Sequence, residues 1–556
     1  LFLFYEFILE GKSLVWFGGM GDGIYQHFSS DVYFGNYFRD IIINFFNTHE
    51  LVIPMWDLTV GNGFDIFTTL NYYSFGDPLS LFYIFTPEKY TGYMYSFLVI
   101  FRLYLSGLFF ILFCFKFNKK KMPAILAALG YAFCGYALYA SIRHPFFINP
   151  MIYLPIMLIG IENVLRGRKP YLFIFIVAVN LISNFYFLYM NTLAAVVYAF
   201  VRVLYLYKDK GMFFKKLLHY FIKFAVYYII GILLSAVLFL PILIAFINSS
   251  RASGQTASVD LLYNLSYYVN IFKNLYNANP IGKWFSLGFN IIIVLCSLFI
   301  FIDKSKQGKY LRNILIIGII CVLFPVIGYM MNGFSYVSNR WCYIFAFLVC
   351  FICCYILNDI KLRINKHKIY TYGCLLFLLI VNFILDQLFI KLDKSNKVFI
   401  FNYIFILMGF LFVLCANRRI VKEKAVLYAL VLIFIIQIPL SGFMKYNSSM
   451  SDYISEFKKY SALDKEINAK EFNDITKLDN DNIYRIAKNK IQYNYGASND
   501  VNGLSSFYSI QNKSTIDYIF NLGILGTVTY SSYVGYDNHI ISNTLKGVKY
   551  QINKNT

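Results

Sequence analysis

Charge is scarce. Only 14% of the 556 residues are Asp, Glu, Lys or Arg, against about 25% in an ordinary soluble domain, and a solvated cytosolic enzyme is excluded. Cysteine is missing from the long polar segments. All ten (Cys114, Cys134, Cys296, Cys321, Cys342, Cys350, Cys353, Cys354, Cys374 and Cys415) lie in or beside apolar runs. That placement excludes disulfides in the polar segments, and Cys353–Cys354 has no second pair at metal spacing. The six histidines are scattered, with no pair at zinc-ligand spacing. No complete phosphate-cradling loop of the pattern Gly-x-x-x-x-Gly-Lys-Ser/Thr is present, which removes ATP as an energy source bound in that way. Carboxylates are sparse in the apolar runs, where Arg102, Arg202 and Asp386 are almost the only ionisable residues. Ion-coupled transporters keep such carboxylates for their relays.

What the chain has in abundance is apolar length. It is 59% hydrophobic and 20% aromatic, and runs of about 20 apolar residues, enough to cross a bilayer core of about 30 Å, recur along it. The runs fall at 90–115, 122–142, 147–165, 171–187, 188–207, 221–247, 286–302, 313–330, 341–358, 369–390, 398–416 and 425–444. They predict an all-α polytopic membrane protein of about 12 spans. Leu1 to Leu9 reads as the remnant of one further span.

The net charge of +21 reports topology rather than a nucleic-acid partner. Basic residues cluster at every second connection: Lys116 with Lys119–Lys121, Arg166/Arg168/Lys169, Lys208/Lys210/Lys215/Lys216, Lys304/Lys306/Lys309/Arg312, Lys361/Arg363/Lys366/Lys368 and Arg418/Arg419/Lys422/Lys424. Cytoplasmic loops carry such tracts, whereas nucleic acid would need one basic soluble face. Residues 11–89 and the tail 445–556 then lie outside the cell, and 90–444 form the multi-span domain between them. The 391–397 loop, mildly basic on the outer side, departs from the pattern. The 11–89 segment holds eight acids (Asp22, Asp31, Asp40, Glu50, Asp57, Asp65, Asp77, Glu88) against Lys12, Arg39 and Lys89, unlike a cytoplasmic loop. Within it, 25–47 reads as an amphipathic helix lying in the membrane interface, with Phe34, Phe38, Ile41 and Phe45 on one side. The tail turns to Asn, Lys, Ser, Asp and Tyr. Helix over 452–475 followed by strands and turns from 482 gives an α+β tail domain, which ends mid-domain by its look.

Polar residues at the outer edge of the spans are the candidates for chemistry. Gly21-Asp22-Gly23 sets a carboxylate between two glycines, where it could take a proton from an attacking hydroxyl; capping the following helix is the structural alternative. Trp56-Asp57, Gly61-Asn62-Gly63, Asn71-Tyr72-Tyr73 and Gly76-Asp77-Pro78 combine aromatics with small polar residues, as a sugar site does and as an interfacial aromatic belt does. Arg143-His144-Pro145 and Asn339-Arg340-Trp341 place guanidinium groups where a lipid phosphate could be clamped or a side chain could snorkel. Asn184 lies at a turn between spans, suited equally to a ligand or to a helix cap.

The run Gly11-Lys12-Ser13-Leu14-Val15-Trp16, the motif Gly21-Asp22-Gly23-Ile24-Tyr25-Gln26-His27, Gly61-Asn62-Gly63, the segment from Ala128 to Tyr136, Leu181-Ile182-Ser183-Asn184-Phe185-Tyr186 and Met331 to Trp341 together resemble the bacterial membrane protein YfhO family, over nearly the whole chain. The resemblance implies a GT-C-like fold. It implies transfer of a sugar from a polyprenyl-phosphate donor to an envelope polymer, such as lipoteichoic acid, outside a bacterial cell membrane. It assigns Asp22 as catalytic base. Arg143 and Arg340 are candidates for the lipid phosphate, and Gln26, Asp57 and Asn184 for substrate positioning, with His27, His144 and Asn339 completing the binding set. No cofactor is implied and no metal ligands are assigned, though a divalent metal stays open. A transporter or scaffold for envelope precursors is the competing function.

Overall fold

The computed structural model describes residues 2–208, 211–251, 259–390, 397–418, 421–448, 451–467, 469–479, 483–488, 492–524, 529, 531–536 and 539–552. Most of the 391–397 loop, Lys210 and Arg419 lie outside them. Among the described residues seven helices are long and apolar enough to cross a membrane: Glu88–Phe115, Pro145–Leu165, Phe185–Tyr207, Phe213–Ile247, Lys368–Leu388, Val398–Asn417 and Glu423–Tyr446. Three bent pairs raise the number to as many as 10. The remaining apolar runs form shorter helices, Tyr171–Ser183 and Ile291–Ile302. Every expected run is thus helical, but bends and short lengths separate the span count from the expected 12.

The bends have local causes. Lys306–Leu323 and Pro325–Met331 meet at 94°. Phe324, driven out of the helical region by the proline ring that follows, is extended at ψ 126°. Lys121–Ala132 and Gly135–Arg143 meet at 47°, where the Gly135 amide leaves the helix ladder and donates to Leu287 O at 2.8 Å. Asn184 separates two helices by capping the second, accepting from the amides of Tyr186 and Phe187.

Two buried charges inside the helical body are paired with a cation or anion of a neighbouring element. Arg102 Nη2 lies 2.7 Å from Asp77 Oδ2, and Asn149 donates to the same carboxylate oxygen at 2.9 Å. Asp77 also caps the turn that follows it, through Leu79 N. Glu162 corrects the expectation that apolar runs hold almost no carboxylates. It is wholly buried in Pro145–Leu165 and is held by Arg202 Nε at 2.5 Å and Tyr198 OH at 2.7 Å. It stands in the last turn beside the basic tract, where a cation from the neighbouring helix compensates it.

The first loop and the tail form one body. Strand β1 (Lys12–Trp16) pairs antiparallel with β2 (Phe457–Lys459). Tyr73 OH bonds Ser509 Oγ at 2.9 Å, Asn62 Nδ2 donates to Tyr536 OH at 2.7 Å, and Asn494 Nδ2 donates to Tyr25 O at 2.7 Å. Joined by a sheet, loop and tail share one face of the helical body. One apolar core continues from the helices into both, through Trp16, Ile24, Phe28, Tyr131, Phe347, Phe457 and Tyr508.

The amphipathic segment differs from its expected role. Residues Asp22–Phe28 are wound as a π-helix and continue into the α-helix Ser29–Thr48. Its N-terminal half is buried, and Phe34 and Phe38 pack on Phe75 at ring distances of 5.0 and 5.8 Å. Only the C-terminal half keeps large apolar side chains exposed, among them Ile43 and Phe46. Residues 71–85 fold back over Phe34 and Phe38, the first half of the stripe, while Phe45 at its end stays exposed.

Candidate active site

Strand β1 sets the position of the Gly-Asp-Gly motif. The chain reverses after Trp16, and Gly21 takes φ +81°, a left-handed conformation that side chains resist. A Cβ at Gly23 would fall 2.7 Å from the Trp16 backbone nitrogen and closer still to its carbonyl oxygen. The glycines therefore serve the chain's own close packing. Gly23→Ala should cost about 1–3 kcal/mol through overpacking, read as a lowered unfolding midpoint in detergent; an unchanged midpoint would contradict this packing.

Asp22 is the first residue of the π-helix, not its cap: Gly21 holds the cap position and no side-chain capping hydrogen bond forms. The i→i+5 winding carries His27 to the same side as Asp22. His27 Nε2 and His144 Nδ1 are 2.7 Å apart, and His144 Nε2 is 3.9 Å from Asp22 Oδ2. His144 stands at the break before Pro145, extended at φ −138° and ψ 89°, and its ring stacks on Phe147 at 4.6 Å. Burial lowers the pKa of His27 to about 3 and holds His144 well below its usual value, with nearby cations adding to both shifts. Both imidazoles are neutral at pH 7, and the contact with Asp22 is polar rather than an ion pair.

Burial raises the Asp22 carboxyl from 3.8 to about 6, opposed by Arg143 and Arg340. Its side chain is 26% exposed, so a substrate hydroxyl has access. Each arginine sits in its own aromatic cage. Arg340 lies 5.0 Å from the Trp284 ring, 5.2 Å from Phe147 and 5.7 Å from Tyr186. It donates to Tyr186 OH at 3.4 Å, and its Nε is buried without a partner among the described residues. Arg143 lies 4.4 Å from Trp16, 4.8 Å from Tyr139 and 5.5 Å from Tyr453, donating from Nε to Tyr453 OH at 3.2 Å. The cages touch where Tyr139 meets Trp284, at 5.3 Å.

Asp22, His27, His144, Arg143 and Arg340 are therefore one electrostatic unit. Gln26 is buried in the same turn. Three other candidates are engaged in local structure. Asp57 accepts from Tyr33 OH at 2.6 Å and from Thr59 N at 2.8 Å. Asn184 is the helix cap described above. Asn339 donates to Tyr263 OH at 2.9 Å and accepts from Trp341 Nε1 at 3.1 Å, fixing the loop that carries Arg340. Sequence reasoning gave no role to Tyr139, Trp284, Tyr453, Lys445 or Glu456. Tryptophan is a signal that was available, since the chain has only four and two of them line these cages.

A family model described as bacterial membrane protein YfhO matches residues 1–556. The chain is also similar to an uncharacterized protein YfhO of Bacillus subtilis (strain 168), 24% identical over 426 residues, which are 74% of this chain and 46% of that one. The chain thus spans about half the length of that curated relative.

Proposed function

The chain belongs to the YfhO family of bacterial membrane proteins, and we propose that it is a GT-C-type glycosyltransferase acting at the outer face of the cell membrane. The donor is a polyprenyl-phosphate sugar and the acceptor an envelope polymer such as lipoteichoic acid. The observation that carries this reading is Asp22, a carboxyl poised at about 6 and influenced by two aromatic-caged arginines. A base whose pKa lies just below the working pH is ionised yet still basic enough to accept a proton. The acceptor hydroxyl gives its proton to Asp22 as its oxygen bonds the anomeric carbon. The bond from that carbon to the phosphate oxygen breaks, and its electron pair leaves with polyprenyl phosphate. The charge so formed meets the Arg340 guanidinium, whose Nε has no protein acceptor among the described residues. His144, paired with His27, borders the carboxylate at 3.9 Å.

The pH dependence tests this reading. The base works ionised, so transfer from a polyprenyl-phosphate sugar should rise about tenfold per pH unit below pH about 6 and level off above it. The stability effect has the opposite sign. A carboxyl whose folded pKa exceeds its unfolded value contributes stability below 3.8 that is lost as pH rises through about 6. Activity and stability should therefore change in opposite directions across this interval. A rate independent of pH there would remove Asp22 as the base.

A further inference from the structure

Lys445, in the last turn of the span Glu423–Tyr446, is a residue only 5% exposed. Its Nζ lies 4.0 Å from the centre of the Tyr453 ring and 5.2 Å from Tyr139. These are two of the three rings around Arg143. An arginine and a lysine side chain are thus enclosed together by the same pair of phenols. The carboxylate that faces both is Glu456, and it already accepts the Trp16 indole N–H. Among the described residues the Lys445 Nζ makes no hydrogen bond, although a lysine head group carries several donors. Enclosing an ammonium beside a guanidinium is costly unless an anion completes the group.

The Arg340 cage shares no ring with this one, and Asp22 is influenced by the arginine of each. We propose that Arg143 and Lys445 form a second anion site, distinct from Arg340, that binds a phosphoryl group of the acceptor. This rests on the transferase reading. The base must lie beside the acceptor hydroxyl, and Arg340 takes the departing phosphate. A second cage, which shares no ring with that of Arg340, is then left for a charge carried by the acceptor. Planar Arg143 supplies a fork of donors and Lys445 a point charge, a combination suited to the oxygens of a phosphodiester. Aromatic walls exclude water and strengthen both contacts.

The test uses the purified full chain in lipid nanodiscs, with glycerol phosphodiester and a short-chain polyprenyl phosphate as separate probes. Binding is followed by calorimetry and needs no transfer activity. Lys445→Met should weaken the glycerol phosphodiester about 10–100-fold and leave polyprenyl phosphate unchanged, while Arg340→Leu should do the reverse. Lys445→Gln, which keeps polarity, repeats the test if the Met variant does not fold. Loss of polyprenyl phosphate binding in the Lys445 variants would assign the cage to the donor and overturn the proposal. Unchanged binding of both probes would overturn it as well. If transfer is never detected but the two probes separate in this way, the transferase reading fails while the second anion site stands.

Discussion

Asp22→Asn should lower sugar transfer by about 10²–10⁴-fold while the protein reaches the membrane at normal levels. Asparagine keeps the size and shape of the side chain but accepts no proton at neutral pH. The structure sharpens the comparison with a capping role. Asn caps a helix about as well as Asp, so a cap would leave activity intact, and the cap position is held by Gly21 rather than Asp22. Nor does the change remove a salt bridge, because the neighbouring His144 is neutral. Removing a carboxyl whose pKa is raised by burial relieves a desolvation cost, so the variant should be no less stable at pH 7 than the parent. Retained transfer in a well-expressed variant would exclude Asp22 from the mechanism.

Arg340→Ala should cost about 10²–10³-fold in transfer, the range seen when one preorganised donor to a developing charge is lost. Arg340→Lys should recover little of it. The guanidinium is held flanked by Trp284, Phe147 and Tyr186, an arrangement that suits a delocalised plane, and an ammonium offers neither the stacking nor the paired donors. Trp284→Ala in the parent background should lower transfer less, because Phe147 and Tyr186 still confine the group. Near-full activity of Arg340→Lys would show that any positive charge suffices and that no clamp exists.

The helices were legible because apolar runs of bilayer length have few alternatives. The 94° bend at Phe324–Pro325 was open to the same reading through the residue that precedes proline. The pairing of Lys12–Trp16 with Phe457–Lys459 was not. Trp16 and Glu456 are 440 residues apart, and a long-range strand pair leaves no local periodicity to read. The stripe Phe34–Phe38 was misread for a related reason: spacing shows that a face is apolar, not whether lipid or the chain's own 71–85 segment covers it.

The site divides along similar lines. Asp22, Arg143 and Arg340 stood out as charges beside glycine or aromatic residues at span ends, and they converge. Asp57, Asn184 and Asn339 looked equivalent in sequence. Short polar side chains also serve turns and caps, and in the fold each of the three makes such a local hydrogen bond. Lys445 and Glu162 went unassigned because they lie just past the end and in the last turn of apolar runs, where a charged residue ordinarily reaches the interface. In the fold one faces an aromatic cage and the other an arginine.

The most direct measurement places the protein in vesicles with a polyprenyl-phosphate sugar labelled in both the lipid and the sugar, together with extracted envelope polymer. Transfer breaks the bond between sugar and phosphate, so the two labels should separate, the sugar moving to the polymer and the lipid remaining as polyprenyl phosphate. Labels that stay together, with intact donor appearing in the opposite leaflet, would show a transporter and contradict the account.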